Sequence, residues 1–379
     1  QPGRDLTLSI DRRIQYLAYS ALKDTLEKNK ADSGSIVVMD VHTGEVLGMA
    51  NLPSFNPNAV RGSTPSERRN RAVTDVVEPG STMKAFTMAA ALTSGKYTPT
   101  APLIETSPGT WMMGGHPVRD THNWGTLTPT GVITKSSNVG AAKIAMTLDT
   151  DFLYGVYKSF GLGNSTGSGF PGEAAGYLPV GRTWKPIEKS RLAYGYNLNV
   201  TPLQLATGYA AIANGGALRS PSFIKGADNP PNQIVTPEVA HNLVRMLETV
   251  MAPGGTGYGF ASVANYSVAG KTGTSHKNSA GGYYANNYIS LFVGMIPASA
   301  PRLVTVVVIN DPKGGHYYGG SVAGPAFAQV MEGAVRLLDI PPDNVGRWYA
   351  GGPSQGGLIG TTNAQPPQAD ESAAEEVVP

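Results

Sequence analysis

The sequence contains no cysteine among its 379 residues. Disulfides, zinc–thiolate sites, iron–sulfur clusters and thiol nucleophiles are therefore all excluded. Charge is close to balance as well, because 29 Lys and Arg residues against 27 Asp and Glu residues leave a formal net charge of +2. A general nucleic-acid binder would carry a strong basic excess. A nucleophile in this chain would have to be something other than a thiol, and no nucleic acid is expected as a partner.

Long hydrophobic runs are also missing. The longest strongly apolar run covers residues 303–309, which is far shorter than the roughly 20 residues of a membrane-spanning helix. The chain begins without the charged and then apolar pattern of a leader peptide. We therefore expect these residues to be a soluble piece of protein.

Histidine is too scattered to predict a metal site. No two of the six histidines lie four residues apart and no H-E-x-x-H motif occurs, so a zinc site would have to be assembled from distant residues. We expect no metal and no other cofactor. The histidines are His42, His116, His122, His241, His276 and His316.

Strand patterns lie near both ends of the chain, and helical patterns lie between them. A hairpin is predicted at His42-Thr43-Gly44, since this short turn separates two β-rich runs. A helix behind the N-cap candidate Asp11 opens the chain, and a helical pattern over 327–338 closes it. The predicted strands are 35–41, 45–50, 266–271, 290–296 and 303–309, and the central helices are 82–93, 130–146, 202–213 and 237–250.

Strands from both ends can pair in one antiparallel sheet, with the terminal helices on one face and the helical middle on the other. We therefore predict an α+β fold, in which terminal helices and a mostly helical subdomain flank a five-stranded antiparallel sheet. After Arg347 the chain has no Lys or Arg and is rich in Gly, Pro, Gln and acidic residues, a composition that cannot form a packed core. We predict one domain over residues 1–349 and a disordered acidic tail over residues 350–379.

The pattern S-x-x-K occurs three times, and its context favours one occurrence. Ser20 lies inside the opening helix and Ser222 lies beside proline, whereas Ser81 begins a helical run. Lys84, one turn further on, would share a helix face with Ser81 and could exchange a proton with it. The helix N-terminus would favour a developing oxyanion there. The alternative is an ordinary serine N-cap beside a solvated lysine, and this segment alone does not decide between them.

Two further motifs follow in an order that favours the catalytic interpretation. Ser136-Ser137-Asn138 supplies S-x-N, and Lys271-Thr272-Gly273 supplies K-T-G at the end of a predicted strand. S-x-N also occurs at Ser54-Phe55-Asn56 and is not diagnostic alone, but K-[ST]-G occurs once. The ordered set S-x-x-K, S-x-N and K-T-G is the signature of serine β-lactamases and penicillin-binding proteins.

The likeness extends beyond these motifs. From about Thr7 to Asn344, the sequence resembles the transpeptidase domain of class B penicillin-binding proteins, in particular the division-specific FtsI type, penicillin-binding protein 3. The resemblance implies the β-lactamase/transpeptidase-like fold. One departure is Thr272, where some relatives have serine, and either residue supplies a hydroxyl. The likeness rests on Arg69-Asn70-Arg71-Ala72, Glu78-Pro79-Gly80-Ser81-Thr82-Met83-Lys84, Lys135-Ser136-Ser137-Asn138-Val139-Gly140, Gly161-Leu162-Gly163, Phe170-Pro171-Gly172-Glu173 and Tyr194-Gly195-Tyr196.

By this resemblance the chain is a serine-type D-Ala-D-Ala transpeptidase or carboxypeptidase of septal peptidoglycan synthesis. Ser81 would attack the carbonyl between the terminal D-alanines of a stem peptide and form an acyl-enzyme, which an amine from a neighbouring stem would resolve. A β-lactam would acylate the same Ser81. Lys84 would take part in proton transfer, which requires that burial and the second cation, Lys271, lower its pKa from about 10.4.

The resemblance also implies roles for the remaining motif residues. Ser136 would pass a proton to the leaving nitrogen, and Asn138 would hold Lys84 and the substrate amide. Which residue is the acylation base stays open. The backbone N–H groups of Ser81 and Thr274 would form the oxyanion hole. The substrate-binding residues would be Thr272, Gly273, Thr274, Tyr194 and Tyr196, with Tyr317 and Tyr318 as further walls of the cleft, although such aromatic pairs are as often plain packing.

Members of this family carry a short cytoplasmic segment, a membrane anchor and a pedestal module ahead of the catalytic domain, and none of the three is found here. We expect contact with a membrane only through a missing N-terminal anchor. The expected location is the periplasmic face of the bacterial inner membrane. The expected partners are division-machinery proteins, including a lipid-linked glycosyltransferase.

Two other functions share the acylation chemistry. A serine β-lactamase would need a carboxylate to activate water, and Glu173 is the one candidate, but Tyr177 stands where an asparagine is expected. A β-lactam-sensing domain would bind the drug covalently without turnover, and the motifs alone do not exclude it. The length of the chain also argues against a compact lactamase, and the wider likeness to division transpeptidases argues against the sensor.

Overall fold

A computed structural model of the chain describes residue 3, residues 5–279 and residues 282–344. The predicted acidic tail at 350–379 lies outside the described residues, and so do residues 345–349 of the predicted domain. In the part of the chain that is described, helices and strands combine in the α+β arrangement predicted from the sequence.

The secondary structure elements follow one another in the order expected from the sequence pattern, with strands near both ends and helices between them. The strands are β1 (Ser33–Asp40), β2 (Val46–Leu52), β3 (Ile104–Glu105), β4 (Thr110–Met113), β5 (His116–Arg119), β6 (Thr126–Leu127), β7 (Ala217–Leu218), β8 (Asn232–Gln233), β9 (Ala269–Ser279), β10 (Gly282–Ile296) and β11 (Leu303–Asn310). The helices are α1 (Arg12–Asn29), α2 (Arg71–Thr74), α3 (Lys84–Thr93), α4 (Pro129–Thr134), α5 (Asn138–Thr147), α6 (Thr150–Ser159), α7 (Pro186–Leu192), α8 (Pro202–Ala213), α9 (Pro237–Glu248) and α10 (Gly319–Leu337). Short 3-10 turns lie at Gly80–Met83, Gly181–Thr183 and Thr249–Met251.

The main sheet has five strands in the spatial order β2-β1-β11-β10-β9, and every neighbouring pair is antiparallel. β1 is buried along its whole length, because helices cover both faces of the sheet. Its side chains alternate, so that Ile36 and Val38 pack with α1 and α10, whereas Val37 and Met39 pack with the helical middle. The predicted five-stranded sheet between two helical layers is confirmed.

Local signals at the start of the chain are confirmed as well. The carboxylate of Asp11 caps α1 by accepting the N–H groups of Arg13 at 2.8 Å and of Ile14 at 3.4 Å. Gly44 lies in the turn between β1 and β2 with φ of +74°, a conformation that glycine adopts without steric cost. Further along the chain, α8 covers Pro202–Ala213, which is the range predicted from the sequence.

One strand prediction is wrong near the K-T-G motif. The strand predicted over 266–271 begins at Ala269 and continues to Ser279, so that Lys271-Thr272-Gly273 lies inside β9 and not at its end. The residues after Gly273 are polar and give no hydrophobic alternation, which is the signal that marks a strand in a sequence. Pairing with β10 extends the strand through them.

The predicted helix over 130–146 is also wrong, because it is two helices. α4 ends at Thr134 and α5 begins at Asn138, and the S-x-N motif lies in the break. α6 and α7 lie where no helix was predicted. The helical middle therefore has shorter and more numerous segments than its hydrophobic pattern indicates.

Candidate active site

Ser81 and Lys84 lie at the start of the helix that the sequence predicted. Ser81 is in the 3-10 turn that leads into α3, and Lys84 is the first residue of α3. The two side chains are only 4% and 1% exposed, and Lys84 Nζ lies 2.8 Å from Ser81 Oγ. Pro79 and Met83 occupy the N-cap positions. Ser81 is therefore not an ordinary N-cap, and Lys84 is not a solvated lysine.

Two glycines allow the chain to pass close to Ser81. Gly80 has φ of +51°, and a Cβ atom there would lie 3.0 Å from the carbonyl oxygen of Thr274. Gly195 has φ of +95°, and a Cβ atom there would lie 2.0 Å from the carbonyl oxygen of Gly80. The N–H of Gly80 also donates to the carbonyl of Gly195 at 3.1 Å. The Ser81 turn thus lies between the backbone of β9 and the segment of Gly195.

The three motifs converge on the amine of Lys84. Its Nζ lies 2.5 Å from the carbonyl oxygen of Ser136, 3.1 Å from Ser136 Oγ and 2.7 Å from Asn138 Oδ1. Lys271 Nζ lies 2.9 Å from the same Ser136 Oγ, and Lys271 is completely buried. One hydroxyl therefore contacts both lysines, and the first lysine also contacts Ser81. The sequence predicted these five residues, and the structure brings them together.

The break between α4 and α5 explains how Ser136 reaches the lysines. Ser136 N–H donates to the Ile133 carbonyl at 3.2 Å, and Ser137 N–H donates to the Val132 carbonyl at 3.0 Å. This is a Schellman motif, in which the residue after the C-cap adopts the left-handed conformation. Ser136 has φ of +57°, although glycine is the usual residue at such a position. Ser137 then caps α5, since its Oγ accepts the N–H of Gly140 at 2.8 Å.

Asp120 holds the start of α5 through hydrogen bonds, and it was not among the residues predicted from the sequence. Its carboxylate accepts hydrogen bonds from Ser137 Oγ at 2.6 Å, from Asn138 N–H at 2.5 Å and from Val139 N–H at 3.0 Å. Burial raises the pKa of Asp120, and these hydrogen bonds oppose that rise. Asn138 Nδ2 donates to the Arg119 carbonyl at 3.0 Å, which leaves its Oδ1 facing Lys84. A lone aspartate after a short strand matches no motif, so no sequence signal marked it.

The K-T-G segment of β9 packs tightly against the Ser81 turn. A Cβ atom on Gly273 would lie 2.9 Å from Thr82 Cγ2 and 3.0 Å from the Pro79 carbonyl oxygen. Gly273 is therefore required for the close approach of the strand. Ser275 Oγ also donates to the Glu78 carbonyl at 2.9 Å.

The two K-T-G hydroxyls predicted to bind substrate have defined partners. Thr272 and Thr274 are 8% and 7% exposed and project from the same face of β9. Thr274 Oγ1 accepts the N–H of Gly319, the first residue of α10, at 3.1 Å. Thr272 Oγ1 lies 2.8 Å from Thr256 Oγ1. Thr256 belongs to no motif, so no sequence signal marked it.

The predicted aromatic walls differ in exposure. Tyr194 and Tyr196 are each 3% exposed and belong to the hydrophobic core, which favours the packing alternative for this pair. Tyr317 and Tyr318 are half-buried, with ring centroids 4.4 Å apart. Tyr288 of β10 stacks on Tyr317 at 4.1 Å and extends this second aromatic group.

Glu173, the candidate carboxylate for a β-lactamase, is held by its own loop. Its two oxygens accept hydrogen bonds from Ser165 Oγ at 3.1 Å, from Thr166 Oγ1 at 2.6 Å and from Ser168 Oγ at 2.8 Å. In the described part of the chain, no cluster of three or more His, Cys, Asp or Glu side chains is suited to a metal ion. Nor do the helices described there include one long and apolar enough to span a membrane.

Comparison with known proteins shows the family. The model of the family "Penicillin binding protein transpeptidase domain" matches residues 34–332. The chain therefore belongs to the penicillin-binding protein transpeptidase domain family.

Relatives within this family define the type more closely. The chain is 44% identical over 344 residues to peptidoglycan D,D-transpeptidase FtsI of Escherichia coli strain K12, covering 90% of this chain and 58% of that protein. It is 41% identical over 341 residues to the probable peptidoglycan D,D-transpeptidase PenA of Neisseria flavescens, covering 90% of this chain and 84% of that protein. The apo structure of the TP domain from Burkholderia pseudomallei penicillin-binding protein 3 is 41% identical with a TM-score of 0.82, covering 90% of this chain and 99% of that chain. The predicted resemblance to the FtsI type and the transpeptidase fold are confirmed.

Proposed function

We propose that this chain is the catalytic domain of a peptidoglycan D,D-transpeptidase that cross-links stem peptides during septal wall synthesis. The chain spans only 58% of the length of FtsI of Escherichia coli. The activity of the full-length relative is therefore proposed for this chain. The observation that carries it is the contact of Ser81 Oγ with Lys84 Nζ at 2.8 Å, next to a hydroxyl that both lysines share.

The surroundings of Lys84 support a role as proton acceptor for Ser81. The carbonyl of Ser136 and Oδ1 of Asn138 can only accept hydrogen bonds, and both lie within 2.7 Å of Nζ. A neutral amine has two N–H groups and one lone pair. These two acceptors can take both N–H groups, and the lone pair can then accept the proton of Ser81, whose Oγ lies 2.8 Å away.

The proposed acylation step follows from these contacts. Ser81 Oγ forms a bond to the carbonyl carbon of the penultimate D-alanine, and its proton passes to Lys84. The C–N bond to the terminal D-alanine then breaks, and the leaving nitrogen takes a proton through Ser136. Backbone N–H groups of Ser81 and Thr274 would hold the oxyanion, where one donor is worth about 10² to 10³ in rate. An amine from a second stem peptide then attacks the ester, which forms the cross-link and restores the Ser81 hydroxyl.

The substrate carboxylate would bind beside the K-T-G residues of β9. Lys271 supplies a buried positive charge, and Thr272 and Thr274 supply hydroxyl donors on one face of β9. A β-lactam carries both a strained amide and a carboxylate, and it would acylate Ser81 in the same way. The half-buried Tyr317 and Tyr318 would border this cleft, and Tyr194 and Tyr196 would act only through packing.

The biological setting forms part of the proposal. We place the domain at the periplasmic face of the bacterial inner membrane, because that is where division transpeptidases meet peptidoglycan. Division-machinery proteins, including a lipid-linked glycosyltransferase, are the proposed partners. We also propose a single catalytic domain over residues 1–349, of which residues 34–332 match the family model.

A fluorescent penicillin and a thioester substrate test this function. We expect a stable label on Ser81, and release of labelled hydrolysis product within minutes would instead indicate a β-lactamase. A D-Ala-D-Ala thioester analogue with an added amine acceptor should then give an aminolysis product. Stable labelling with no aminolysis would favour a β-lactam sensor and would overturn the transpeptidase proposal.

A further inference from the structure

Thr256 lies in a tightly turned loop next to the K-T-G strand. The loop follows the 3-10 turn at Thr249–Met251, and the N–H of Gly257 donates back to the Val250 carbonyl at 3.0 Å. A Cβ atom on Gly320 would lie 2.8 Å from the carbonyl oxygen of Thr256, so the loop also packs on the start of α10. Thr256 is half-buried. The backbone position of Thr256 is therefore set by the fold.

The same loop is fixed to the S-x-N segment. Lys135, which directly precedes Ser136, donates from Nζ to the Gly254 carbonyl at 2.8 Å. Thr134 Oγ1 and Thr249 Oγ1 are also hydrogen-bonded, at 2.5 Å. Thr256 thus belongs to a segment that joins the S-x-N motif to the K-T-G strand.

Hydrogen-bond direction decides what the K-T-G hydroxyls can offer a carboxylate. A backbone N–H can only donate, so Thr274 Oγ1 accepts from Gly319 and keeps its own O–H proton for another partner. Thr272 Oγ1 and Thr256 Oγ1 lie 2.8 Å apart, and either oxygen can be the donor. If Thr272 donates to Thr256, its proton is not available to the substrate. If Thr256 donates to Thr272, both K-T-G hydroxyls can donate to the same carboxylate.

We propose that Thr256 is a positioning residue that donates to Thr272 Oγ1 and thereby directs the Thr272 O–H toward the terminal carboxylate of the substrate. The inference rests on the proposed function, because it assigns Thr272 to that carboxylate. An ionised acceptor strengthens the hydrogen bonds that lead to it, so the pair of hydroxyls is polarised in one direction when substrate binds. Thr256 therefore contributes to the selection of substrates that carry a carboxylate at this position.

The test compares two substrates that differ only in that group. One is an N-acyl-D-alanyl thioester with a free carboxylate on its leaving group, and the other is its carboxamide. We expect Thr256→Val to lower the ratio of their kcat/KM values by about two- to tenfold, the size of one hydrogen bond between neutral groups, because the Thr272 hydroxyl loses the partner that orients it. Thr256→Ser keeps the hydroxyl, and its ratio should equal that of the wild type.

Matched controls separate positioning from a general structural effect. Thr249→Val removes a hydroxyl from the 3-10 turn that leads into this loop. That hydroxyl contacts Thr134 and not the K-T-G strand, and the ratio of the variant should equal that of the wild type. In a Thr272→Val background, Thr256→Val should have no further effect on the ratio. If Thr256→Val does not fold, Thr256→Ala is measured in the same way.

The outcomes distinguish this proposal from the proposed function. An equal loss of activity toward both substrates, or an unchanged ratio, would overturn the role of Thr256 and leave the transpeptidase proposal standing. Failure of the unchanged protein to turn over either thioester would instead overturn the transpeptidase proposal itself.

Discussion

Ser81 is one of three serines that lie three residues before a lysine, and their surroundings separate them. Lys84 Nζ lies 2.8 Å from Ser81 Oγ in a buried site, whereas Lys23, beyond Ser20, has a side chain that is 57% exposed and pairs with Glu27. We expect Ser81→Ala to reduce penicillin labelling to below about one thousandth of the wild-type rate, because the attacking oxygen is lost. The measurement is the second-order labelling rate, with thermal unfolding as a check of the fold.

Ser20→Ala and Ser222→Ala are the controls for this prediction. Ser222 Oγ donates to the Ile224 carbonyl at 3.0 Å and lies in a different part of the chain. Both variants should label at the wild-type rate. Loss of labelling in either one, with unchanged thermal stability, would show that the wrong serine has been assigned.

Asp120 gives a second prediction, because its carboxylate accepts three hydrogen bonds at the N-terminus of α5. Asp120→Asn keeps the shape and can keep one oxygen on the two backbone N–H groups, but it removes the charge and puts an amide nitrogen, which cannot accept, where Oδ2 accepts the Ser137 hydroxyl. Burial of the charge offsets part of what these hydrogen bonds contribute, so we expect a stability loss of about 1 kcal/mol, at the lower end for a charged acceptor at such a position. The labelling rate should fall as well, because Ser136 and Asn138 lose their support. A variant that labels at the wild-type rate after losing this stability would contradict the supporting role.

Motif spacing predicted Ser81, Lys84 and the S-x-N and K-T-G residues, because each motif has a fixed local geometry. It could not predict Asp120 or Thr256, since each acts through a contact formed only after distant segments fold together. For Tyr194 and Tyr196, the resemblance implied a cleft wall and the Gly-rich context left plain packing equally open. Their buried rings favour packing.

The short connection between α4 and α5 shows what a hydrophobic pattern cannot reveal. Apolar residues continue at helical spacing on both sides of Lys135, so the sequence predicted one helix. The break depends on the conformation of a single residue, Ser136, with φ of +57°. A serine at this position gives no glycine signal for a helix end. The same break turns the Ser136 hydroxyl toward both lysines.

This connection leads to a third prediction. A side chain in the left-handed conformation costs about 1 to 2 kcal/mol relative to glycine, so Ser136→Gly should be more stable than Ser136→Ala by about that amount. Both variants lack the hydroxyl between the lysines and should label far more slowly than the wild type. Denaturant unfolding of the two variants measures the difference. Equal stabilities would show that the backbone at Ser136 is not strained.

Asp343, which follows α10, contacts the residues just before β9. The Asp343 carboxylate accepts the N–H of Ser267 at 2.7 Å, the hydroxyl of Ser267, and the hydroxyl of Ser299 at 2.6 Å. Burial raises the pKa of Asp343, but these hydrogen bonds outweigh burial and lower the pKa overall. The carboxylate therefore joins three segments that are distant in the chain.

The lowered pKa gives a fourth prediction, with a defined sign. The ionised form of Asp343 stabilises the folded state, so its contribution is complete above the unfolded pKa of about 3.9 and is lost as the pH falls through the lower folded value. At pH 7, Asp343→Asn should be less stable than the wild type by about 1 kcal/mol. The difference should shrink below about pH 4. Thermal midpoints across this range measure it, with the exposed Asp228→Asn as the control. A difference that does not change with pH would contradict the role of the charge.

The pairing of β1 with β11 places Ser33 opposite Asn310, and Asp40 opposite Leu303. During synthesis at about 5 to 20 residues per second, the ribosome would need roughly 15 to 50 s between finishing the first of these strands and finishing the second. Over that interval the nascent β1–β2 hairpin exposes an unpaired apolar edge. A cell that makes this chain must therefore keep the emerging hairpin from associating with other polypeptides until β11 has been synthesised and can pair with β1.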